Sequence, residues 1–411
     1  MPTGVEPGKT WGGEMKRIVP FLLVLVLCAC VSNVSTPIAA EVTLTATEEP
    51  APTNTNSPVP SATLTLSPTP ANQFTPTPRP TRTPFVTNTA LPTAEVALRQ
   101  SAAGRGIELG AAVALEPLRD DLDYRRVLGR EFNLITAENV MKFDAIEPRR
   151  GEFDFRAADE LVEFAVQNGM RVRGHTFVWH QALPDWLTNG GFSRDELITI
   201  LRDHISAEAR HFKGKVFAWD VVNEAFEDTG ALRTTPWSEG IGPDYIEIAF
   251  RAAREADPDA LLFYNDYNAE GMNVKSDAVY ALVKDLKEKG LIDGVGLQMH
   301  VDASQGPARA DLEENMRRLG ELGLVVHITE MDVKVLGAPT QRQLEDQAAV
   351  YRDVTAACLS VPACKAIVFW GFTDRYSWIP LQNSRYGTAL PFDENYLPKP
   401  AYHAIRQVLA E

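Results

Sequence analysis

From Ala97 to Glu411 short apolar runs alternate with segments of helical period, and this alternation constrains the fold more than any other feature. Eight runs read as strands: 107–113, 134–137, 171–176, 216–222, 261–265, 295–298, 325–330 and 366–370. Amphipathic stretches at 155–168, 194–211, 243–256, 275–289, 308–322 and 340–357 separate most of them. Asn168-Gly169 and Lys289-Gly290 are helix stops, because glycine enters the left-handed conformation that ends a helix. Alternating strands and helices predict a parallel sheet, and eight such strands in this length predict an α/β fold, a single (β/α)8 TIM barrel. An open doubly wound sheet is the alternative. It calls for a glycine-rich phosphate loop after the first strand, which Ile107 to Ala111 does not supply.

Polar residues gather where the apolar runs end. The second run leads into Glu138, Asn139 and Lys142, and the third into His175, Trp179 and His180. The fourth ends at Asn223-Glu224, the fifth at Asn265 to Asn268, the sixth at Gln298 to His300, the seventh at Thr329 to Asp332, and the eighth at Trp370. In a barrel all these ends meet on one rim, and that rim holds the active site. A single polar residue there reads as structural, but so many convergent sets do not. Glu224 and Glu330 stand out, since they are expected to face each other across the mouth. Two opposed carboxyls among aromatics suit glycoside hydrolysis: one is protonated and expels the leaving oxygen, the other is charged and attacks the anomeric carbon. Retaining chemistry sets an expected separation of about 5–5.5 Å.

Other chemistries fit less well. The formal net charge of −15 argues against nucleic acid as a partner and agrees with a neutral polysaccharide. His175, His180 and His300 lack metal-ligand spacing, so no metal is expected, nor any other cofactor, and the missing Gly-X-Ser-X-Gly elbow disfavours a serine hydrolase.

At these motifs the chain resembles glycoside hydrolase family 10, the endo-β-1,4-xylanases. The matching segments are Thr136 to Lys142 (TAENVMK), Gly174 to His180 (GHTFVWH), Trp219 to Ala225 (WDVVNEA), Gln298 to His300 (QMH), Ile328 to Asp332 (ITEMD) and Trp370 to Trp378 (WGFTDRYSW). The resemblance implies Glu224 as acid/base and Glu330 as nucleophile. It implies that His300 bridges Glu330 and Asp332, and that Asn223 meets the 2-hydroxyl of the sugar being cleaved. Gln298 and His175 are implied to bind the same sugar, with Glu138, Asn139 and Lys142 on that sugar and its non-reducing neighbour. Trp179, Trp370 and Trp378 are implied to wall the subsites, and Tyr267 to be the leaving-side platform. The implied substrate is xylan or xylo-oligosaccharides. A β-1,4-glucanase using the same groups, or a non-catalytic cell-surface glycan binder, are the competing readings. Intact Glu224 and Glu330 speak against the binder.

The N-terminal part reads as targeting and tether. Lys16 and Arg17 precede the apolar run 18–27, too short to span a bilayer but typical of a signal peptide. Met15 competes with Met1 as the start. Leu27-Cys28-Ala29-Cys30 has the form of a bacterial lipoprotein signal, with Cys30 the lipidated residue. Cleavage near Ala39-Ala40 is the alternative. The organisation expected is a signal over 1–30, a disordered Thr/Pro-rich linker over 31–96 and a catalytic barrel over 97–411. The expected product is an extracellular monomer that touches a membrane only through its lipid. In that setting Cys358 and Cys364, six positions apart, read as a disulfide, with two buried thiols as the alternative.

Overall fold

The computed structural model describes residues 96–411. The signal over 1–30 with Cys30, both candidate starts, and the linker as far as residue 95 lie outside the described residues. The described strands are β1 (Glu108–Val113), β2 (Leu134–Ala137), β3 (Arg171–Val178), β4 (Val216–Asn223), β5 (Leu261–Asp266), β6 (Gly294–Leu297), β7 (His300–Asp302), β8 (Val325–Leu336), β9 (Cys364–Phe369) and β10 (Tyr386–Gly387). All except β7 and β10 pair in parallel in the order β8-β6-β5-β4-β3-β2-β1-β9, and β8 pairs with β9 to close the ring. The result is the eight-stranded parallel barrel expected from the alternation. Closure leaves the barrel strands without a free edge.

The barrel strands are buried along nearly their whole length, as parallel strands covered on both faces must be. Helices Arg156–Gln167, Arg194–His211, Tyr245–Ala256, Val274–Glu288, Arg309–Glu321 and Gln341–Ser360 pack outside. The helix Arg194–His211 shows how the sequence specifies them. Ser193 and Glu196 form a reciprocal capping box at its start, a cap worth about 1 kcal/mol. Leu197, Ile200, Leu201 and Ile205 then recur at helical spacing and are buried against the barrel. Gly169 and Gly290 stand at φ 60° and 70° beyond their helices, so both stops lie where they were expected.

The seventh barrel strand differs from expectation. It continues past Glu330 to Leu336, because two segments distant in sequence pair with its outer half. β7 aligns His300 with Asp332 and Lys334 with Asp302, and β10 joins antiparallel at Val335 and Leu336. Cys358, near the end of helix Gln341–Ser360, and Cys364, the first residue of β9, form a disulfide.

Candidate active site

Every barrel strand except β1 leads into polar or aromatic residues at the C-terminal rim, where they line a cleft of about 490 Å³. Lys142, His175, Trp179, Asn223, Glu224, Tyr267, Gln298, His300, Glu330, Trp370 and Trp378 all face it. Glu138, Asn139 and Asp332 are not part of that lining: Asn139 is exposed beside Lys142, Glu138 is half-buried, and Asp332 is buried under His300 and Trp378.

Glu330, on β8, is buried. Its Oε1 accepts from Asn265 Nδ2 at 2.7 Å and its Oε2 from His300 Nε2 at 3.1 Å. His300 Nδ1 donates to Asp332 Oδ2 at 2.8 Å, so one imidazole spans the two carboxyls. Trp378 Nε1 donates to the same Asp332 oxygen at 2.8 Å. Burial pushes His300 down, but the charge and hydrogen bond of Asp332 and the bond to Glu330 reverse this, raising it to about 10. His300 is therefore an imidazolium at neutral pH, donating from both nitrogens. Burial pushes the Glu330 carboxyl up. The His300 hydrogen bond and the charges of His175 and His300 outweigh burial and hold it below the usual range.

Glu224 sits one residue past β4 at φ 57°, a left-handed conformation costly for a residue with a long side chain. Backbone bonds hold it there: its N–H donates to Asn265 O at 2.9 Å and its carbonyl accepts from Arg233 Nε at 3.1 Å. This turn swings the carboxyl into the cleft. Oε1 accepts from Asn223 Nδ2 at 3.1 Å and Gln298 Nε2 at 3.0 Å, and Oε2 accepts from Trp179 Nε1 at 2.9 Å.

Asn223 ties the two glutamates together. Its Oδ1 accepts from Asn265 Nδ2 at 2.9 Å and Gln298 Nε2 at 3.1 Å. Both lone pairs of that oxygen and one N–H are thus occupied, which leaves one N–H for a ligand. Gln298 has spent both N–H groups and retains its carbonyl oxygen.

Several supporting residues carry no role in the sequence motifs as read. Asn265 links Glu330, Asn223 and Thr329, whose hydroxyl donates to Asn265 Oδ1 at 2.6 Å. Gly296 faces this amide: a Cβ there would stand 2.1 Å from Asn265 Oδ1. Arg173 and Asp220, both fully buried, form a bidentate pair beneath the site. Burial raises the Asp220 carboxyl, yet Arg173 and His175 bring it below its ordinary value, and Asp220 Oδ2 fixes His175 Nδ1 at 3.0 Å. Arg173 was legible as the i−2 neighbour of His175 on the same strand face. Arg233, from the loop after β4, donates to the Tyr267 hydroxyl at 2.9 Å. Lys275 Nζ lies 3.4 Å from the centre of the Tyr267 ring and 2.9 Å from Asp266.

On the opposite flank, Lys142 Nζ donates to Asn139 Oδ1 at 2.9 Å and lies 5.0 Å from the Trp179 ring. Burial lowers Lys142, against the pull of Glu330 and Glu138. Burial raises Glu138, which Lys142 partly offsets. Trp370 packs edge-on to His175 at 5.2 Å and Trp378 edge-on to His300 at 5.2 Å.

A pair of carboxyls held on the rim of a parallel barrel, inside a cleft walled by tryptophans, is the equipment of a glycoside hydrolase. Sequence comparison refines that class. The chain belongs to glycosyl hydrolase family 10, whose family model matches residues 97–408. It is 49% identical over 321 residues to endo-1,4-beta-xylanase B of Thermotoga neapolitana, an alignment spanning 77% of this chain and 92% of the relative. It is 40% identical over 324 residues to an endo-1,4-beta-xylanase of Agaricus bisporus, covering 78% and 97%. Among solved structures, xylanase 10B of Thermotoga petrophila RKU-1 in complex with xylobiose superposes with a TM-score of 0.75 at 48% identity, covering 77% of this chain and 98% of that one.

Proposed function

We propose that this chain is an endo-β-1,4-xylanase that cleaves internal bonds of xylan with retention of configuration, through a covalent glycosyl-enzyme intermediate. The observation that carries the reading is the unequal setting of the two glutamates. Both glutamates are buried, but Glu330 is also held below the usual carboxylate range and gripped by an imidazolium, which suits a nucleophile charged at neutral pH. Glu224 is mounted on a left-handed turn with its carboxyl directed into the cleft, which suits the group that protonates the leaving oxygen and later activates water. The free N–H of Asn223 is placed to meet a hydroxyl beside the reacting carbon, and the spare Gln298 oxygen to accept from the same ring. Trp179, Trp370 and Trp378 supply apolar faces for the sugar C–H surfaces, and Tyr267, braced by Arg233 and Lys275, supplies one on the leaving side. Lys142, Asn139 and Glu138 extend the polar contacts to the next sugar. The full activity assigned to relatives in their names supports xylan as the substrate.

The same proposal takes the chain as an extracellular monomer, tethered by a lipid on Cys30 through the linker over 31–96. Metabolic labelling with a palmitate analogue, in wild type and Cys30→Ala, tests the anchor; equal labelling of the two would refute it.

The decisive experiment follows early hydrolysis of xylohexaose by proton NMR. The β-anomer should appear first, and Glu330→Ala should abolish turnover. Initial release of the α-anomer would overturn the double displacement. Glucan hydrolysis matching xylan hydrolysis would overturn the substrate, and persistent activity in Glu330→Ala would overturn the nucleophile.

A further inference from the structure

Besides the His300 imidazolium, which is held between Glu330 and Asp332, the described cleft lining contains three lysine or arginine cations, and two of them are occupied. Arg233 is tied to Glu227 at 3.1 Å, to the Tyr267 hydroxyl and to two main-chain oxygens. Lys142 is hydrogen-bonded to Asn139 and lies in the field of Glu330 and Glu138. Lys334 differs. It lines the cleft from the outer half of β8, four residues beyond Glu330 and two beyond Asp332, on the wall that also presents Trp378, Ile379 and Gln382. Among the described residues its ammonium has no carboxylate within ion-pair distance. Its Nζ lies 5.2 Å from the centroid of the Tyr386 ring. That ring belongs to β10, which pairs with β8 next to Lys334, so the ammonium is steered by a neighbouring element. Gln382 is exposed on the same wall, with a side-chain amide engaged by no described residue.

An unpaired ammonium beside a cleft built for a neutral sugar chain meets no countercharge on an unsubstituted xylose polymer. Lys334 is half-buried, so part of its hydration is already displaced, and an anion there regains that loss. We propose that Lys334, with Gln382 in the same cleft lining, forms a specificity pocket for the carboxylate of a uronic acid side group on the xylan chain. The inference rests on the xylanase reading and deepens it: the preferred substrate is an acidic, uronic-acid-substituted xylan. Lys334 supplies the charge, Gln382 donates to a carboxylate or hydroxyl oxygen, and the Tyr386 ring keeps the ammonium over the groove.

The test compares kcat/KM on a xylo-oligosaccharide carrying one glucuronic acid with kcat/KM on the same oligosaccharide after carboxyl reduction, which leaves shape and removes charge. Reading the ratio divides out any general effect on the cleft. Wild type should favour the acidic substrate by about 2- to 5-fold at low salt, the range of a partly exposed ion pair. The preference should shrink as ionic strength rises. Lys334→Gln should bring the ratio to about one, Lys334→Glu should invert it, and Lys334→Arg should retain it. A wild-type ratio of one, or a ratio unaltered in Lys334→Gln, would overturn the pocket. Failure of wild type to cleave linear xylo-oligosaccharide would instead defeat the xylanase reading itself, so the two failures are distinguishable.

Discussion

Replacing Asn265 by alanine should damage catalysis although this side chain does not line the cleft. Its Nδ2 donates to the buried Glu330 at 2.7 Å and to Asn223 at 2.9 Å, and its Oδ1 accepts from Thr329 at 2.6 Å. A hydrogen bond to a charged group contributes about 1.5–3 kcal/mol, and about 1.4 kcal/mol corresponds to one power of ten. If the bond serves to hold the nucleophile, kcat/KM should fall by about one to two powers of ten. Stability should fall by about 2–4 kcal/mol, since the Thr329 hydroxyl and the Asn223 oxygen each lose a partner in a buried setting. Losing a donor to the ionised form also moves Glu330 upward, so the acid limb of the pH–rate profile should shift to higher pH. Hydrolysis of an aryl xylobioside across pH, with urea unfolding alongside, measures all three. Adding Thr329→Val should restore part of the stability, because the stranded hydroxyl is gone, while leaving the rate low. A variant within threefold of wild-type kcat/KM, with its acid limb unmoved, would refute the reasoning.

Three further outcomes are expected. His300 is raised to about 10 in the folded protein, so its contribution to stability is complete below its ordinary value near 6.5 and is lost as pH climbs toward 10. Unfolding free energy measured from pH 6 to 10 should therefore decline, and His300→Gln should flatten that decline; parallel curves would contradict the assignment. Glu208 is fully buried, neither carboxyl oxygen has a protein hydrogen-bond partner, and burial raises it well above an ordinary glutamate. Keeping it neutral costs more stability as pH rises, so Glu208→Gln should raise Tm more at pH 8 than at pH 5, and an equal gain at both would argue against a neutral carboxyl. Cys358 and Cys364 close a loop with a sequence separation of 6, for which chain entropy gives about 2 kcal/mol. Cys358→Ser with Cys364→Ser should lower unfolding free energy by up to that amount and leave kcat unchanged, because the bridge lies at the start of β9, away from the cleft residues at the other end.

The sequence by itself determined the barrel, since eight apolar runs long enough only for strands, separated by stretches of helical period, admit few other closed arrangements. The predicted and observed bounds of β2 and of helix Arg194–His211 coincide, and most other elements shift by three residues or fewer. The site was legible to the same depth: in a parallel barrel every residue just past a strand end reaches one rim, so Glu138, His175, Glu224, Gln298 and Trp370 could be grouped without coordinates. What surrounds them could not. Asn265 looks like any amide at a strand end, and only closure of the ring places it between Asn223 and Glu330. Arg173 and Asp220 meet across neighbouring strands, a contact fixed by register, which local composition does not encode. The outer half of β8 exists because β7 and β10 return to pair with it, and that pairing alone puts Lys334 on the wall of the cleft. Periodicity along a chain reports which way each residue faces. Which residues share a hydrogen bond depends on the barrel's register, and that is settled only when all the strands pack together.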